Sequence, residues 1–246
     1  VPKGLHKERR ALDCAEKIKK GNKMADIMFN GPEGRLEGRY HQGPEGAPLA
    51  IVLHPHPQHG GTMNNKVTYG LFHLFVNRGY SVLRFNFRGV GRSQGKFARG
   101  EGELSDAAAA LDWLQSVNNS SVNCFVAGFS FGAWIAMQLL MRRPEIRSFV
   151  AVAPPANMYD FSFLAPCPAS GLIVIGDQDE IVPPDSAKVL AAKLSRQRDV
   201  HVDFQTVEGA KHLFGGKVDD LMTVADAYIG NVSFAPIQPK SGGRRG

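Results

Sequence analysis

Cysteine is scarce in this 246-residue sequence, and the three that occur (Cys14, Cys124, Cys167) are an odd number without metal-ligand spacing. Neither a disulfide framework nor a structural zinc site is expected, and the usage fits a reducing, cytoplasmic setting. Long apolar runs are missing as well: no stretch approaches 18 consecutive apolar residues, so nothing is expected to span a membrane. No apolar signal-peptide core is legible either. A basic stripe is the third absence. Of the net charge of +6, residues 1–23 hold +5 and the segment after Pro236 holds +3, which leaves 24–235 at −2. Phosphate recognition needs clustered positive charge on one surface, so no nucleic-acid partner is expected for the body of the chain.

That charge split suggests three segments. Residues 1–23 read as a basic extension outside the domain, since domain-like sequence begins at Met24. Upstream or added residues explain it at least as well as a functional arm; Leu12, Ala15 and Ile18 form at most a weak helical stripe, and no stable membrane association is expected. Residues 24–235 are long enough for one large domain. Residues 236–246 (PIQPKSGGRRG) have the composition of a flexible tail.

Within 24–235, strand-like segments at 35–41, 49–53, 80–85, 122–127, 146–153, 171–175 and 200–207 alternate with helix-like segments at 65–78, 102–115, 135–141, 186–195 and 217–229. In the second helix Leu104, Ala107, Ala108, Leu111 and Leu114 recur at helical spacing. Such alternation predicts an α/β fold, a mainly parallel sheet with helices on both faces in three layers. In these sheets ligands bind beyond the carboxyl ends of the strands. The polar motifs follow Leu53, Phe85, Ala127, Ile175 and Val207, which places them together at that end.

The motif after Ala127 is Gly128-Phe129-Ser130-Phe131-Gly132, between an apolar strand and a helical pattern. Small residues two before and two after Ser130 allow a sharp turn that exposes its hydroxyl. A serine in that position is either a nucleophile or a helix-capping serine. A nucleophile needs a base and the base a carboxylate to orient it. His212, in the loop after the last strand, is the candidate base. Asp177, Asp179 and Glu180 follow the strand at 171–175. Asp179 is preferred because it lies far enough into the loop to turn back toward His212, whereas Asp177 suits bracing of the turn. His54, His56 and His59 offer a second grouping that a zinc ion could use, but Pro55 and Pro57 restrict their convergence. The glycine-rich segment 89–95 fits neither G-x-G-x-x-G nor a P-loop.

These residues together resemble the α/β-hydrolase superfamily over about residues 26–231. The chain order Ser130, Asp179, His212 matches that fold's nucleophile–acid–base order, and Gly176, Asp179 and Val182 match its G-x-x-D-x-x-V acid loop. The segment 86–93 is similar to its loop after the fourth strand. Residues 54–61 resemble those of small, lidless proteins similar to dienelactone hydrolase. The resemblance implies an oxyanion loop after the third strand. Proline has no N–H to donate, so the His56 amide, paired with that of Phe131, is the implied donor.

The expected activity is hydrolysis of an ester or thioester of a small or flexible acyl substrate, without cofactor or metal. The alternatives are an interaction protein that retains the fold, or acyl transfer or perhydrolysis by the same residues. The 15 residues 154–168 are the only cap available, and Phe161, Phe163 and Leu164 are the expected pocket lining. Monomer and homo-oligomer remain equally open.

Overall fold

Apolar residues alternate through Ile27 and Phe29, then through Leu36 and Tyr40, and these form two strands, β1 (Met24–Gly31) and β2 (Gly34–His41). They pair antiparallel, with Gly31 opposite Gly34 and Met24 opposite His41. The buried side chains share one face, as the two-residue period of a strand requires. A computed structural model describes the chain over residues 24–118, 121 and 123–232. The expected extension at 1–23 and tail at 236–246 lie outside the described residues.

The remaining strands are β3 (Leu49–Leu53), β4 (Ser81–Phe85), β5 (Cys124–Phe129), β6 (Ile146–Val152), β7 (Ser170–Gly176) and β8 (Val202–Val207). All eight form one sheet in the order β1-β2-β4-β3-β5-β6-β7-β8. β2 runs antiparallel to β4, and every pairing from β4 through β8 is parallel. All residues of β3, β4 and β5 are buried. Since neighbouring side chains point to opposite sides, both faces of the sheet centre are covered. The helices that accompany the sheet are α1 (Lys66–Asn77), α2 (Glu101–Ser116), α3 (Phe131–Arg142), α4 (Pro184–Ser195) and α5 (Val218–Asn231). The α/β-hydrolase arrangement expected from the sequence is therefore present, with one strand, β1, added at the edge. No helix of the described residues is long and apolar enough to cross a membrane.

Local chemistry sets the helix starts. The Asn65 side chain accepts the Val67 amide at 3.0 Å and caps α1. Glu103, in the first turn of α2, reaches back to the Gly100 and Ala98 amides at 2.7 and 2.9 Å. A buried ion pair fixes the loop after β4 to α2. The Arg88 guanidinium donates to both oxygens of Asp106, from Nε at 2.9 Å and Nη2 at 2.7 Å, and the Arg88 amide adds a third bond at 3.0 Å. A two-pronged pair of this kind fixes orientation as well as distance.

Candidate active site

β5 continues two residues beyond the expected 122–127 segment, through Gly128 and Phe129, so the chain reverses at Ser130 and α3 begins at the next residue. Ser130 has φ 53° and ψ −120°, a backbone region that non-glycine residues enter only under strain. The surroundings enforce it. A Cβ at Gly128 would collide with the Gly132 carbonyl, and a Cβ at Gly132 would lie 2.5 Å from the carbonyls of Leu53 and His54. The Ser130 amide donates to Val152 of β6 at 2.8 Å. The turn is thus clamped between β3 and β6, and the Ser130 side chain projects over the carboxyl ends of the strands.

His212 reaches that hydroxyl from the loop after β8. Its Nε2 lies 3.1 Å from Ser130 Oγ, and its Nδ1 lies 2.8 Å from Asp179 Oδ2. An ionised carboxylate only accepts, so Nδ1 carries the proton and Nε2 accepts from the serine. Asp179 is held from its other side, where Oδ1 accepts the Ile181 and Val182 amides at 3.0 and 2.8 Å. All three side chains are buried. Asp177 does not join them: its Oδ1 accepts the Gly209 amide at 2.7 Å. With the Gln178 amide donating to Ala210 at 3.0 Å, this bond ties the loop after β7 to the loop after β8. The Phe129 ring packs 5.4 Å from the imidazole of His212.

The loop after β3 stands opposite. His54 is fully buried, and its Nε2 accepts the Phe87 amide at 3.0 Å. The remaining ring proton sits on Nδ1, which donates to the Pro55 carbonyl at 2.6 Å. Burial pushes the His54 pKa down to about 4, so the ring is neutral. Both ring nitrogens serve backbone groups, which leaves none on His54 for the three-histidine zinc grouping. His54 instead joins the loop after β3 to the loop after β4, a role with no sequence signal beyond its position at a strand end. The His56 ring packs on Phe131, Phe97 and His59, with centroids 4.9, 4.9 and 4.5 Å away. Its Nδ1 accepts the Gln58 amide at 3.2 Å. Neither the His56 nor the Phe131 amide enters the backbone hydrogen bonds that tie the turns and loops together.

A cavity of about 480 Å³ opens over Ser130 and His212, with His56, His59, Phe131, Met158, Tyr159 and Leu213 among its walls. This volume lies within the range of small-molecule sites. The expected lining is corrected here: Phe161, Phe163 and Leu164 are not among the lining residues. Phe161 and Leu164 are buried, and the Phe161 and Phe163 rings stack 6.0 Å apart. The preceding turn faces the cavity instead. The Met158 and Tyr159 amides both donate to Pro155 at 3.0 Å, and Tyr159 stacks on Trp134 at 4.3 Å. The chain then folds under, where Leu164 accepts from Gln197 Nε2 at 2.8 Å. The sequence placed the lining in the right loop but on its more hydrophobic half, which the core claims.

The chain is similar to several known proteins in sequence and in fold. The family model described as X-Pro dipeptidyl-peptidase (S15 family) matches residues 39–201. Uncharacterized protein RP471 of Rickettsia prowazekii is 53% identical over 211 residues, which cover 84% of this chain and 89% of that one. Protein ATU1826 of Agrobacterium tumefaciens, of unknown function and assigned to the α/β hydrolases, is 56% identical with a TM-score of 0.83, over 86% of this chain and 100% of its own. XC6422 of Xanthomonas campestris, an α/β serine hydrolase without a lid, is 30% identical with a TM-score of 0.77, over 87% of this chain and 98% of its own. The chain belongs to the α/β-hydrolase superfamily, and its residues 39–201 match the S15 family within that superfamily.

Proposed function

We propose that the protein cleaves a carboxylic ester or thioester through an acyl-enzyme on Ser130. The observation that carries this reading is the unbroken chain of hydrogen bonds from Asp179 through His212 to the Ser130 hydroxyl, at the floor of an open cavity. A serine hydroxyl is a weak nucleophile until a neighbouring base takes its proton. His212 Nε2 accepts that proton as Ser130 Oγ bonds to the carbonyl carbon, and Asp179 holds Nδ1–H and stabilises the imidazolium that forms.

The developing oxyanion is received by the amides of His56 and Phe131. One well-aimed donor contributes about 2.7–4 kcal/mol in such sites. His212 then gives its proton to the departing alcohol or thiol as the bond from the carbonyl carbon breaks. Water repeats the attack with His212 again as base, releasing the carboxylic acid and restoring Ser130. Every proton in the cycle moves among Ser130, His212, the leaving group and water.

A fluorophosphonate probe tests the assignment. Labelling is expected in the wild-type protein, lost in Ser130→Ala and strongly slowed in His212→Ala. A folded protein that neither labels nor hydrolyses short-chain and long-chain esters and thioesters would favour a non-catalytic interaction protein.

A further inference from the structure

Six large apolar side chains stand exposed among the described residues, and three of them surround one opening. Met158 is 54% exposed, Ile181 53% and Leu213 63%, and all three line the cavity over Ser130. They come from three loops that converge only in the folded chain. Ile181 follows Asp179 by two residues, Leu213 follows His212 directly, and Met158 lies in the turn after β6. The Asn157 side chain donates to the Ile181 carbonyl at 3.0 Å and holds that turn against the acid loop. Apolar surface gathered at a cavity mouth marks a site that something apolar covers.

Charge gives a second, independent observation. Among the residues that line the cavity, none is Asp, Glu, Lys or Arg. The charged neighbours of Ile181 and Leu213 face each other instead, with Lys211 Nζ 3.5 Å from Glu180 Oε1. His56 in the wall is biased toward its neutral form by burial, with the His59 charge adding to the effect. A substrate carrying a free carboxylate or ammonium into this space would leave water and meet no lysine, arginine or carboxylate side chain in the wall.

We propose that the substrate is a neutral ester or thioester with an apolar acyl chain, and that Met158, Ile181 and Leu213 grip that chain and set its preferred length. This substrate class rests on the reading of Ser130 as the nucleophile. The acyl group passes to Ser130 Oγ as the bond to the leaving oxygen or sulfur breaks, and water then releases it as the free acid.

The test compares kcat/KM of the full chain on p-nitrophenyl acetate, butyrate, hexanoate and octanoate, on a p-nitrophenyl succinate monoester and on Ala-Pro-p-nitroanilide with a free amine. Each added methylene should raise kcat/KM about two- to fourfold until the cavity is filled, fourfold being the gain for full burial. The succinate monoester should fall about tenfold or more below butyrate, because its second carboxylate is desolvated unpaired. Met158→Ser and Ile181→Ser, checked for unchanged melting temperature, should each lower the hexanoate-to-acetate ratio by about threefold or more. A flat chain-length profile, or a preference for either charged substrate, would overturn the substrate class. If Ser130 still labels with fluorophosphonate in that case, the hydrolase reading stands; loss of both labelling and turnover would remove both.

Discussion

Asp177 and Asp179 are two residues apart on one loop and accept from different partners: Asp177 from the Gly209 amide at 2.7 Å, Asp179 from the His212 ring at 2.8 Å. The first bond holds two loops together, and the second orients a proton acceptor. Asp179→Asn is expected to lower kcat on a butyrate ester by about 10⁴-fold, because an amide donor at Oδ2 favours the wrong tautomer of His212. Asp177→Asn should keep most of the turnover and lose about 1 kcal/mol of stability. Steady-state kinetics and urea unfolding of the two variants separate these effects, and equal losses of turnover would refute the division of roles.

Gly132 packs without a side chain against the end of β3, where a Cβ would lie 2.5 Å from the Leu53 and His54 carbonyls. Backbone cannot swing aside as a flexible side chain can. Gly132→Ala should therefore destabilise the fold by about 1–3 kcal/mol and slow fluorophosphonate labelling of Ser130 by displacing the turn. Thermal melting and labelling rate, read on one preparation, check both parts.

Arg88 and Asp106 are both buried and hydrogen-bonded to each other. Arg88→Met strands the buried Asp106 carboxylate and should cost about 3–5 kcal/mol, whereas Asp106→Leu leaves Arg88 its second partner Glu33 at 3.1 Å and should cost less. The double variant should lose much less than the two single losses combined, because it strands neither charge. A double-mutant cycle by denaturant unfolding measures the difference, and simple additivity would count against a coupled pair.

His54 predicts a pH signature. Burial holds its folded-state pKa at about 4 against the ordinary histidine value of 6.5, so the unfolded chain takes up the proton first as the pH falls. The contribution of neutral His54 is complete above about pH 6.5 and is lost progressively down to about pH 4, amounting to about 3 kcal/mol over that window. His54→Asn should start less stable at pH 7 and lack this component of the acid loss. Unfolding free energies at pH 7, 5.5 and 4.5 test it; parallel profiles for the two proteins would contradict the assignment.

The centre of the fold was legible because β3, β4 and β5 are buried on both faces, and their largely apolar runs, broken in β4 by Ser81 and Arg84, stand out between turn-rich segments. The loops that carry Ser130, Asp179 and His212 were legible as polar or glycine-containing segments that follow strand-like ones. β1 was not assigned, since its period-two signal is carried by only Ile27 and Phe29, with exposed Asp26 and Asn30 on either side of them. A hairpin at the sheet edge adds little burial to announce itself. The cavity wall was harder still. Phe161 and Leu164 are more hydrophobic than Met158 and Tyr159, but composition does not say which half of a loop faces the core. Ile181 and Leu213 did carry a signal, as apolar residues beside the acid and the base on exposed loops.

The backbone at Ser130, with φ 53° and ψ −120°, puts stability and reactivity in opposition at a single position. Glycine adopts this mirror-image extended region freely, whereas a residue with a Cβ carries about 1–3 kcal/mol of strain there. Ser130→Gly should accordingly melt higher than Ser130→Ala, by an amount equivalent to about 1 kcal/mol after glycine's greater unfolded-state entropy is deducted. Neither variant would retain the hydroxyl that we propose as the nucleophile. A glycine at this position would thus make a sturdier protein that lacks the hydroxyl we propose as the reactive group.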